Sequence, residues 1–523
     1  MSVGATGADT VWDLLDGRAR RDGDKPWLTF LGREAKTTYS AAQIRDRALG
    51  VAATLHAAGV ARGDRVALLA PNSAEFVVTL FATARIGAVL VPLNWLLTAP
   101  ELAFQLTDAG AVALIADLDG TARLDDAAHS AGWRGSRFVL APDHGPWRSL
   151  STPSAGHSSA LPAPPAADEV FEIMYTSGST SNPKGVLLTH RSVVLSAHRM
   201  RAEWSVRADD VFLTPLPLFH VNAQMMSTFP ALVGDAQLVL QPSFSASEWI
   251  DDVRSAGATI VPLVGTQVRM ITAQPERHDD SDNNLRCMPY GLNVPMDMWI
   301  AFERRFGAPL INTYGLTEGV GAVVSSPLFG DRRPPSLGRV HLDRHIGVFD
   351  DDGNPVVGCP GEIRVQGIPG ETLMAGYHNR PQATAEALRD GWLHTGDVGI
   401  IDEDGYLSYV DRAKDVIKRN GENVSSLEVE TVLVCHPSVA EAAVVGRPDP
   451  IRDEEVVAFV LAAQGAVIDR DALTEFCAGR LAKFKVPTEI IELESMPRST
   501  VGKLEKKTLR ALLDDVTAGE RGI

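Results

Sequence analysis

The segment that most constrains the fold is an apolar run that leads directly into a loop of small and hydroxylated residues. FEIMY, residues 171–175, is followed by TSGSTSNPKGVLLTH, which contains six serines and threonines and Lys184. Small residues allow a ligand to approach the backbone closely, and backbone N–H groups, hydroxyls and a lysine can together bind an oxyanion. The loop is not a Walker A loop, because Pro183 stands where that motif requires its second glycine. We therefore predict a polyphosphate-binding loop at the end of a strand.

Segments on both sides of this loop alternate between helical and strand patterns. Ser40 and Gln43 form a capping-box pattern at the start of an amphipathic helix. GDRVALLAPN predicts a strand, a helix follows from about Ala74, and GAVLVPLN predicts the next strand. Further strands are predicted at AQLVLQP, ATIVPLVG and APLINTYG. Strand–helix alternation with continuously apolar strands predicts parallel sheets covered by helices.

The pattern changes along the chain, which at 523 residues is too long for one ordinary core. Residues 151–168 are rich in proline, alanine and serine, and they predict a linker between two α/β subdomains. From about residue 340, short strands with Gly and Asp turns predict a small antiparallel, β-barrel-like subdomain. From about Asp415, paired helices and strands predict a small α+β domain. The expected fold class is α/β, with a large N-terminal domain over 1–411 and a C-terminal domain over 415–523.

Charge and composition exclude several classes of protein. The net charge of −17 argues against a nucleic-acid-binding or anionic-membrane surface, which would need a basic patch. The four cysteines are far apart and form no CxxC pair, so we expect small buried thiols in a cytoplasmic protein, without a disulfide or zinc site. The N-terminus has no apolar segment typical of a secretory signal. The apolar stretch from Phe76 is interrupted by Arg85, Gly87 and Pro92, which predicts a helix and a strand and no membrane span.

Three further polar motifs occur downstream, and each is ambiguous by itself. INTYGLTEG places Glu318 after a predicted strand, where it could equally be an ordinary helix-start residue. WLHTGDVG, followed by DRAKD, places Asp397 in what could be a simple turn. PRSTVGKLEKKTLR places Lys503 in a basic tail, where a lone lysine is normally a solvated charge. The hydroxyl-rich loop alone would also be typical of a solvated turn.

Taken together and in order, these motifs resemble those of the adenylate-forming superfamily, which includes acyl-CoA synthetases, adenylation domains and luciferases. The usual form of the family's loop is YTSGTTGxPKGVxxTH. The resemblance extends from GVARGDRVALLAPN, near the start, to VGKLEKKTLR, near the end. Within the superfamily, FHVNAQ and YGLNVP are most similar to the crotonobetaine/carnitine-CoA ligase branch. The resemblance implies a C-terminal domain that is mobile and pivots at a hinge near 411–415, at Lys414.

The resemblance also implies an ATP site. Tyr314 would stack near adenine, Thr317 would contact the α-phosphate, and Asp397 with Arg412 would hold the ribose hydroxyls. Mg²⁺, which prefers hard oxygen ligands, would be held at Thr176 and Glu318. The full set of implied ATP-binding residues is Thr176, Ser177, Gly178, Ser179, Thr180, Lys184, Gly291, Leu292, Asn293, Asn312, Tyr314, Gly315, Thr317, Asp397 and Arg412.

Catalytic roles follow from the same resemblance for Lys503, Glu318 and His220. Lys503 would stabilise the charge that builds up as a carboxylate attacks the α-phosphate. His220, which could otherwise be a satisfied core histidine, would lie near that carboxylate. The implied acid-binding residues are His220, Asn222, Gln224, Val264, Gly265 and Gly291. For the coenzyme A step the implied residues are the hinge Lys414, together with Gly421 and Glu422 beside the path of the thiol arm.

The function implied is that of an ATP-dependent acid–CoA ligase, with Mg²⁺, ATP and coenzyme A as cofactor and cosubstrates and a small carboxylic acid as substrate. An alternative keeps the adenylation step and passes the acyl group to a carrier-protein thiol, an amine or another nucleophile. A nucleotide-binding protein that has lost catalysis is a third alternative, which the intact charged residues disfavour. A homodimer is compatible with the sequence, and neither a nucleic acid nor a membrane span is expected.

One residue departs from the family's loop pattern. Ser181 and Asn182 stand where the family usually has glycine and a variable residue. If that glycine has a positive φ angle, Ser181 bears strain of about 1 kcal/mol or more, or the turn changes its conformation. Asn182 tolerates left-handed geometry better and could shift the bend by one residue. We expect the phosphate loop to be retained with altered mobility.

Overall fold

The computed structural model describes residues 9–32, 36–150, 161–176, 183–291, 294–412, 415–419, 422–449, 453–498 and 504–520. The chain divides into two compact units. The first comprises Met1–Ile346 and Val365–His394, and the second comprises Gly347–Arg364 and Thr395–Ile523. None of the described helices is both long enough and apolar enough to cross a membrane.

Elements up to the helix that follows the phosphate loop alternate as the sequence predicts. The strands are β1 (Pro26–Leu31), β2 (Lys36–Ser40), β3 (Arg65–Leu69), β4 (Val89–Leu93), β5 (Ala111–Ala116), β6 (Ser136–Val139), β7 (Arg148–Ser149), β8 (Val170–Thr176) and β9 (Lys184–Thr189). The helices are α1 (Val11–Asp22), α2 (Ala41–Ala57), α3 (Ala74–Ile86), α4 (Ala99–Ala109), α5 (Thr121–Ser130) and α6 (His190–Glu203).

The rest of the first unit continues the alternation. Its strands are β10 (Val211–Thr214), β11 (Gln237–Leu240), β12 (Leu263–Val264), β13 (Met288–Gly291), β14 (Leu310–Leu316), β15 (Gly321–Ser325) and β16 (Arg339–Val340). Its helices are α7 (Val221–Ala223), α8 (Phe229–Val233), α9 (Trp249–Ala256), α10 (Gly265–Thr272) and α11 (Met296–Phe306). A π-helical turn (Gln224–Thr228) joins α7 to α8, and a 3₁₀ turn (Thr317–Gly319) joins β14 to β15.

The remaining elements complete the first unit and build the second. The strands are β17 (His345–Phe349), β18 (Gly361–Gln366), β19 (Gly376–Tyr377), β20 (Leu388–Arg389), β21 (Trp392–Ile401), β22 (Leu407–Arg412), β23 (Ile417–Arg419), β24 (Glu422–Val424), β25 (Val439–Asp449), β26 (Asp453–Ala462) and β27 (Glu489–Glu492). The helices are α12 (Pro381–Ala387), α13 (Ser426–Val434), α14 (Arg470–Ala478) and α15 (Lys506–Glu520), with a 3₁₀ turn at Lys483–Lys485.

The phosphate loop belongs to an eight-stranded sheet in the order β19-β9-β8-β4-β3-β5-β6-β7. Strands β8, β4, β3, β5, β6 and β7 are parallel neighbours, and β9 is antiparallel to β8. Apolar side chains of the sheet and of α4 and α5 form one buried cluster, which includes Leu69, Leu102 and Leu114. Burial on both faces explains why these strands are apolar without alternation.

Local signals set the boundaries of the helices on this sheet. The Ser40 hydroxyl accepts the Gln43 N–H at 3.2 Å, and the Gln43 side chain accepts the Ser40 N–H at 2.8 Å, so the predicted capping box is confirmed. Ser73 caps α3 through the Phe76 N–H at 3.1 Å. Gly87 ends the same helix in a left-handed conformation, with a φ angle of 70°, which glycine adopts without the penalty of a Cβ atom.

A second sheet runs in the order β12-β13-β14-β15-β16, with β12, β13 and β14 parallel. Helices α9, α10 and α11 cover it through a buried cluster that contains Trp249, Trp299 and Phe302. The predicted strand at ATIVPLVG is shorter than expected, because only Leu263–Val264 and a bridge at Ile260 pair with neighbours. Pro262 lies between them and has no N–H for the ladder.

The end of β14 approaches the start of β15 unusually closely. A Cβ atom on Gly315 would lie 2.3 Å from the Gly321 carbonyl oxygen, so only glycine fits at residue 315. Gly321 itself has a φ angle of 91°, and a Cβ there would meet Met225 at 2.9 Å. The end of β14 and the start of β15 therefore meet through main-chain atoms of two glycines, and we call this contact the glycine corner of the first unit.

The second unit contains parts of two sheets, and the predicted change to short strands is only partly found, because β21, β25 and β26 have 10, 11 and 10 residues. Strands β17, β18, β21 and β20 are neighbours in one sheet, with β20 and β22 antiparallel to β21. Strands β24, β23, β26 and β25, with β27 on β26, form the sheet of the α+β part. Helices α13 and α14 cover that sheet through a cluster that includes Val429, Leu433 and Leu473. The predicted α/β fold class is confirmed.

The cysteines only partly match the expectation of small buried residues. Cys287 and Cys477 are buried, whereas Cys359 and Cys435 are exposed, and all four are free thiols. Cys359 lies in the connection between β17 and β18, and Cys435 directly follows α13. Within the described ranges, no group of His, Cys, Asp and Glu side chains is arranged to hold a metal ion.

Candidate active site

The strands on either side of the phosphate loop fix its two ends. Thr176 and Lys184 are Cα partners in the β8–β9 pair, and the Thr176 hydroxyl donates to the Lys184 carbonyl at 3.4 Å. The predicted residues Ser177, Gly178, Ser179 and Thr180, and the variant position Ser181, lie outside the described residues. The hairpin thus brings the two described members of the predicted phosphate site to one end of the eight-stranded sheet.

Tyr377 connects two residues that the motifs predict, and the sequence analysis missed it. Its hydroxyl donates to Glu318 Oε1 at 2.9 Å, and the Lys184 Nζ lies 4.9 Å from the centre of its ring. Tyr377 reaches this position because β19 pairs with β9, with Tyr377 opposite Val186. A carboxylate and an ammonium group are therefore held on one aromatic side chain, by a hydrogen bond and a cation–π contact. A lone tyrosine in a short strand gives no sequence signal for this role.

The turn that carries Thr317 and Glu318 is held by main-chain contacts at both ends. The Glu318 carbonyl accepts the Met374 N–H at 2.8 Å, and the Thr317 carbonyl accepts the Val320 N–H at 2.9 Å. The segment from Met374 also pairs with β9, since the Ala375 N–H donates to the Leu187 carbonyl at 2.9 Å. The segment 374–377 is thus hydrogen-bonded both to Glu318 and to β9, the strand that begins with Lys184. It connects the two residues through its backbone as well as through the Tyr377 side chain.

The carboxyl ends of the parallel strands β12, β13 and β14 form a row beside this turn. Val264 is paired with Gly291, and Gly291 with Thr313, so predicted acid-binding and ATP-binding positions share one edge of the sheet. Gly265 is the first residue of α10. Leu292 and Asn293 lie outside the described residues. Open α/β sheets bind ligands at such an edge.

The remaining predicted residues of β14 belong to the same edge. Asn312 is 1% exposed and its amide donates to the Ser336 carbonyl at 3.5 Å. Tyr314 is buried as well, while Gly315 is exposed at the end of the strand. Asn312 therefore fixes the strand from within, and Tyr314 and Gly315 lie nearer to the edge where adenine was expected.

A buried amide, that of Asn72, holds the segment that leads to His220. Asn72 donates to the carbonyls of Leu216 and Gln241 at 2.9 and 3.0 Å, and its own oxygen accepts the Leu218 N–H at 2.8 Å. His220 itself is half-buried, and its ring lies 4.4 Å from that of Phe219, centre to centre, at an angle of 53°. Asn72, at the end of GDRVALLAPN, is a second residue that the sequence analysis did not single out.

Gln224 lies deeper than its predicted role in the acid pocket suggests. It is 0% exposed, and its amide nitrogen donates to Glu172 Oε1 and to the Leu218 carbonyl, both at 2.8 Å. Asn222 is half-buried, and its Oδ1 atom has no hydrogen-bond partner among the described residues. The Gln224 Oε1 atom likewise has no partner among the described residues, so the two amides differ in exposure, and the half-buried Asn222 is the more accessible of the two.

Glu172 is the unusual partner in this arrangement. It lies on β8, four residues before Thr176, and is fully buried without a cationic partner in the described part of the chain. Burial raises the pKa of Glu172 from its ordinary value of 4.5 to about 8, and the hydrogen bond from Gln224 offsets this only partly. At neutral pH the carboxyl is therefore mainly protonated, and a neutral pair joins β8 to the segment that carries His220.

In the second unit, the predicted ribose-binding pair is adjacent at the level of the backbone. Asp397 on β21 is the Cα partner of Arg412 on β22. Asp397 is 3% exposed, and its N–H donates to the Thr395 hydroxyl at 3.1 Å. The side chain of Arg412 lies outside what the structure describes. The ribose-binding role that the resemblance implies for these two residues stays a prediction.

The other predicted residues of the second unit fall at the gaps. Arg419 and Glu422 are Cα partners in the β23–β24 pair, while Gly421 and Lys414 lie outside the described residues. Lys503 also lies outside them, in a segment bracketed by a bridge between Arg498 and Leu504. The roles proposed for these residues stay predictions.

The fold is α/β, and a hydroxyl-rich sequence connects β8 to β9, which begins with Lys184. The turn that carries Glu318 lies beside it. This combination is typical of a nucleotide-binding enzyme. The family described as "AMP-binding enzyme" matches residues 15–378, and its C-terminal domain matches residues 428–503. The chain belongs to this AMP-binding, adenylate-forming enzyme family, as the motifs predict.

Similar proteins cover almost the whole chain. The crotonobetaine/carnitine–CoA ligase of Salmonella choleraesuis (strain SC-B67) is 34% identical over 517 residues, which are 97% of this chain and 99% of that protein. The ATP-bound structure of MatB from Rhodopseudomonas palustris has a TM-score of 0.86 at 30% identity, over 97% of this chain and 99% of that one. The o-succinylbenzoate CoA synthetase of Bacillus subtilis, in complex with its acyl-adenylate intermediate, has a TM-score of 0.84 at 28% identity, over 95% and 98%.

The burial of Glu172 predicts a pH-dependent contribution to stability. A carboxyl whose pKa is raised in the folded state stabilises that state fully below its unfolded pKa, and this contribution is lost as the pH rises through about 8. Glu172→Gln removes the titration and keeps a polar group of similar shape. We expect the melting temperature of Glu172→Gln minus that of the unmodified protein to increase by roughly 2–5 °C when the pH is raised from about 5.5 to about 9.

The control is Glu276→Gln, which changes an exposed carboxylate of the same unit. Its melting temperature should follow that of the unmodified protein at both pH values. A constant difference for Glu172→Gln across the range would show that Glu172 does not change its protonation state there.

Proposed function

We propose that this protein is an ATP-dependent acid–CoA ligase that forms an acyl-adenylate and then transfers the acyl group to coenzyme A. The observation that carries the proposal is the grouping of Lys184 and Glu318 on Tyr377, at the end of a phosphate loop in this family's fold. The CoA ligase relative that matches 97% of this chain supports the choice of reaction.

In the first step, a carboxylate oxygen of the acid attacks the α-phosphorus of ATP, and pyrophosphate leaves with the electrons of the broken P–O bond. Lys184, at the end of the loop, places a cation beside the phosphates that depart. Lys503 supplies a second cation where negative charge accumulates between the carboxylate and the α-phosphate. Asp397 and Arg412 hold the ribose in this proposal.

Glu318 and Thr176 are chemically suited to hold Mg²⁺. Both offer hard oxygen atoms, and the Tyr377 hydroxyl occupies only one carboxylate oxygen of Glu318, which leaves the other for a cation. When bound, Mg²⁺ would neutralise charge on the phosphate oxygens. Tyr377 is the residue that keeps the carboxylate in one orientation.

In the second step, the thiolate of coenzyme A attacks the acyl carbon, and AMP leaves. Adenylation makes this possible, because AMP is a much better leaving group than the oxide of a free carboxylate. The C-terminal domain turns about Lys414 between the steps, which withdraws Lys503 and brings Gly421 and Glu422 beside the thiol path. A glycine at residue 421 has no side chain and would allow a narrow thiol arm to pass close to the backbone.

The acid substrate is proposed to be short or polar. Asn222 has a buried acceptor with no partner among the described residues, and an apolar chain beside it would leave that acceptor unsatisfied. Asn293 adds a second polar side chain to the predicted pocket, and His220 is assigned to the carboxylate end.

The function is tested by measuring AMP release with a panel of acids, with and without coenzyme A. We expect release that needs both ATP and an acid, that is faster with short polar acids than with long fatty acids, and that is stimulated by coenzyme A. Release that depends on the acid but not on coenzyme A would contradict the proposed acceptor and favour a carrier-protein thiol or an amine. The absence of acid-dependent pyrophosphate release from every member of the panel would contradict adenylation itself.

Lys503→Ala separates the two half-reactions. We expect it to slow pyrophosphate release by about 100-fold or more, the scale for loss of a preorganised charge, and to spare thiol transfer from a supplied acyl-adenylate. Lys507→Ala, an exposed lysine of the same tail, is the control and should leave both rates unchanged. Equal losses in both half-reactions would show that Lys503 has a different role.

Tyr377→Phe tests the hydroxyl, and Tyr377→Leu tests the hydroxyl and the ring. Loss of the hydroxyl should raise the Mg²⁺ concentration for half-maximal adenylation by about 10-fold, since partners that orient a metal ligand typically contribute that much. Only Tyr377→Leu should also raise the KM for ATP, because it removes the ring beneath Lys184. Tyr39→Phe is a matched control, since the Arg47 guanidinium lies 5.0 Å from the centre of the Tyr39 ring and neither residue belongs to this site. An unchanged Mg²⁺ requirement in Tyr377→Phe would refute the role of the hydroxyl.

A further inference from the structure

The residue that follows the Glu318 turn has a backbone conformation that its side chain disfavours. Val320 is fully buried and has φ and ψ angles of 54° and 54°, in the left-handed region. For a β-branched residue this conformation is sterically costly and persists only where the surroundings impose it. Gly321 follows with a φ angle of 91°. Val320 and Gly321, both with positive φ angles, therefore reverse the chain two residues after Glu318, the proposed metal ligand.

Two arginines from distant parts of the chain bind the carbonyls of this turn. Arg344 Nη1 donates to the Gly319 carbonyl at 2.6 Å, and Arg199 Nη2 donates to the Val320 carbonyl at 3.0 Å. The Ser196 hydroxyl, one turn before Arg199 on α6, donates to the same Val320 carbonyl at 2.8 Å. The two carbonyls that the left-handed reversal turns away from the strand ladder are thus satisfied by side chains.

Both guanidinium groups are almost completely removed from solvent. The side chains of Arg199 and Arg344 are 4% and 0% exposed, and the Asp343 carboxylate lies 3.0 Å from the first and 3.6 Å from the second. Burial lowers the pKa of both arginines, and the charge of Arg199 lowers that of Arg344 further. Burying two neighbouring cations is unfavourable, so their hydrogen bonds to the turn have to compensate for it.

We propose that Arg199 and Arg344 are positioning residues that hold the turn Thr317–Val320 in its strained conformation and thereby orient the Glu318 carboxylate. The proposal rests on the role of Glu318 given under the proposed function. Neither arginine belongs to a motif of the phosphate, acid or ribose sites, and neither contacts Glu318 itself. Their action is transmitted through the two carbonyls that follow it.

Arg199→Lys and Arg344→Lys keep the positive charge and remove the planar guanidinium group with its several N–H donors. Arg199 donates to the Val320 carbonyl and to Asp343 from two different nitrogens, and Arg344 donates to the Gly319 carbonyl from Nη1. The single ammonium group of a lysine cannot reproduce this geometry. We expect each variant to raise the Mg²⁺ concentration for half-maximal pyrophosphate release by about 10-fold. Arg18→Lys is the matched control, because Arg18 is also buried and binds carbonyls, those of Ala231 and Ala236, away from the turn. It should lower the melting temperature while changing the Mg²⁺ requirement by less than about twofold.

Val320→Gly tests the strain directly. Glycine adopts the left-handed conformation without a steric cost, so the turn should then depend less on the two arginines. In a Val320→Gly background, Arg199→Lys should raise the Mg²⁺ requirement by less than about threefold. An undiminished effect in this background would overturn the link between strain and the arginines. The proposal is equally overturned if Arg199→Lys and Arg344→Lys lower the melting temperature but leave the Mg²⁺ requirement unchanged.

Two further measurements separate this proposal from the proposed function. If Glu318→Gln leaves the Mg²⁺ requirement unchanged, the metal role of Glu318 fails, and amide hydrogen exchange then decides on the arginines. The Val320 N–H, which donates to the Thr317 carbonyl at 2.9 Å, should exchange faster in Arg199→Lys and Arg344→Lys than in Arg18→Lys. Equal exchange in the three variants would overturn the positioning role independently of activity.

Discussion

The pairing of β8 with β9 is the contact on which the rest of the site depends. It places Thr176 opposite Lys184, so the two ends of the phosphate loop are fixed by strand hydrogen bonds before any ligand arrives. The outer edge of β9 then pairs with β19, which contains Tyr377, and the N–H of Met374, two residues before β19, donates to the Glu318 carbonyl. Thr176, Lys184, Tyr377 and Glu318 are therefore all positioned relative to the same hairpin. Preorganisation of this kind allows charged groups to stabilise a reaction without reorganising during it.

Buried polar groups perform most of the positioning, and they are of two kinds. Asn72 uses its donors and its acceptor on the main chain near Leu216 and Leu218, and such fully paired amides rigidify a segment at little cost. Glu172 and the two arginines at the Glu318 turn are different, because they are ionisable groups held where ionisation is unfavourable. The protein accepts that cost at three places around one site, which is where strain and perturbed ionisation are usually concentrated.

Much of the fold could be predicted because the signals are local. The Ser40 capping box, the apolar strands around the loop and the glycine end of α3 are each specified within a few residues, and the structure has all of them. The strand at ATIVPLVG was overestimated, because one proline interrupts a ladder that hydrophobicity alone predicts. The motif residues could be named because the family resemblance assigns them in order along the chain.

The contacts that orient those residues could not be predicted, since they join distant segments. Tyr377 lies 59 positions from Glu318, and Arg199 lies 121 positions from Val320. Neither a tyrosine in a two-residue strand nor an arginine on an amphipathic helix has a local pattern that reveals its partner. Gln224 is a further example, because the resemblance implies an acid-binding role for it, whereas the contact of its amide with Glu172, 52 positions away, is visible only in the folded chain.

The close approach of Gly315 to Gly321 has a consequence for how the specificity of this enzyme could change. Because no side chain can be added to Gly315, and one at Gly321 would meet Met225, this corner cannot be reshaped by single substitutions. In the proposed function, a different acid would therefore be accommodated by changes at the predicted acid-binding residues His220, Asn222, Gln224 and Val264, while the main chain at this corner stays constant.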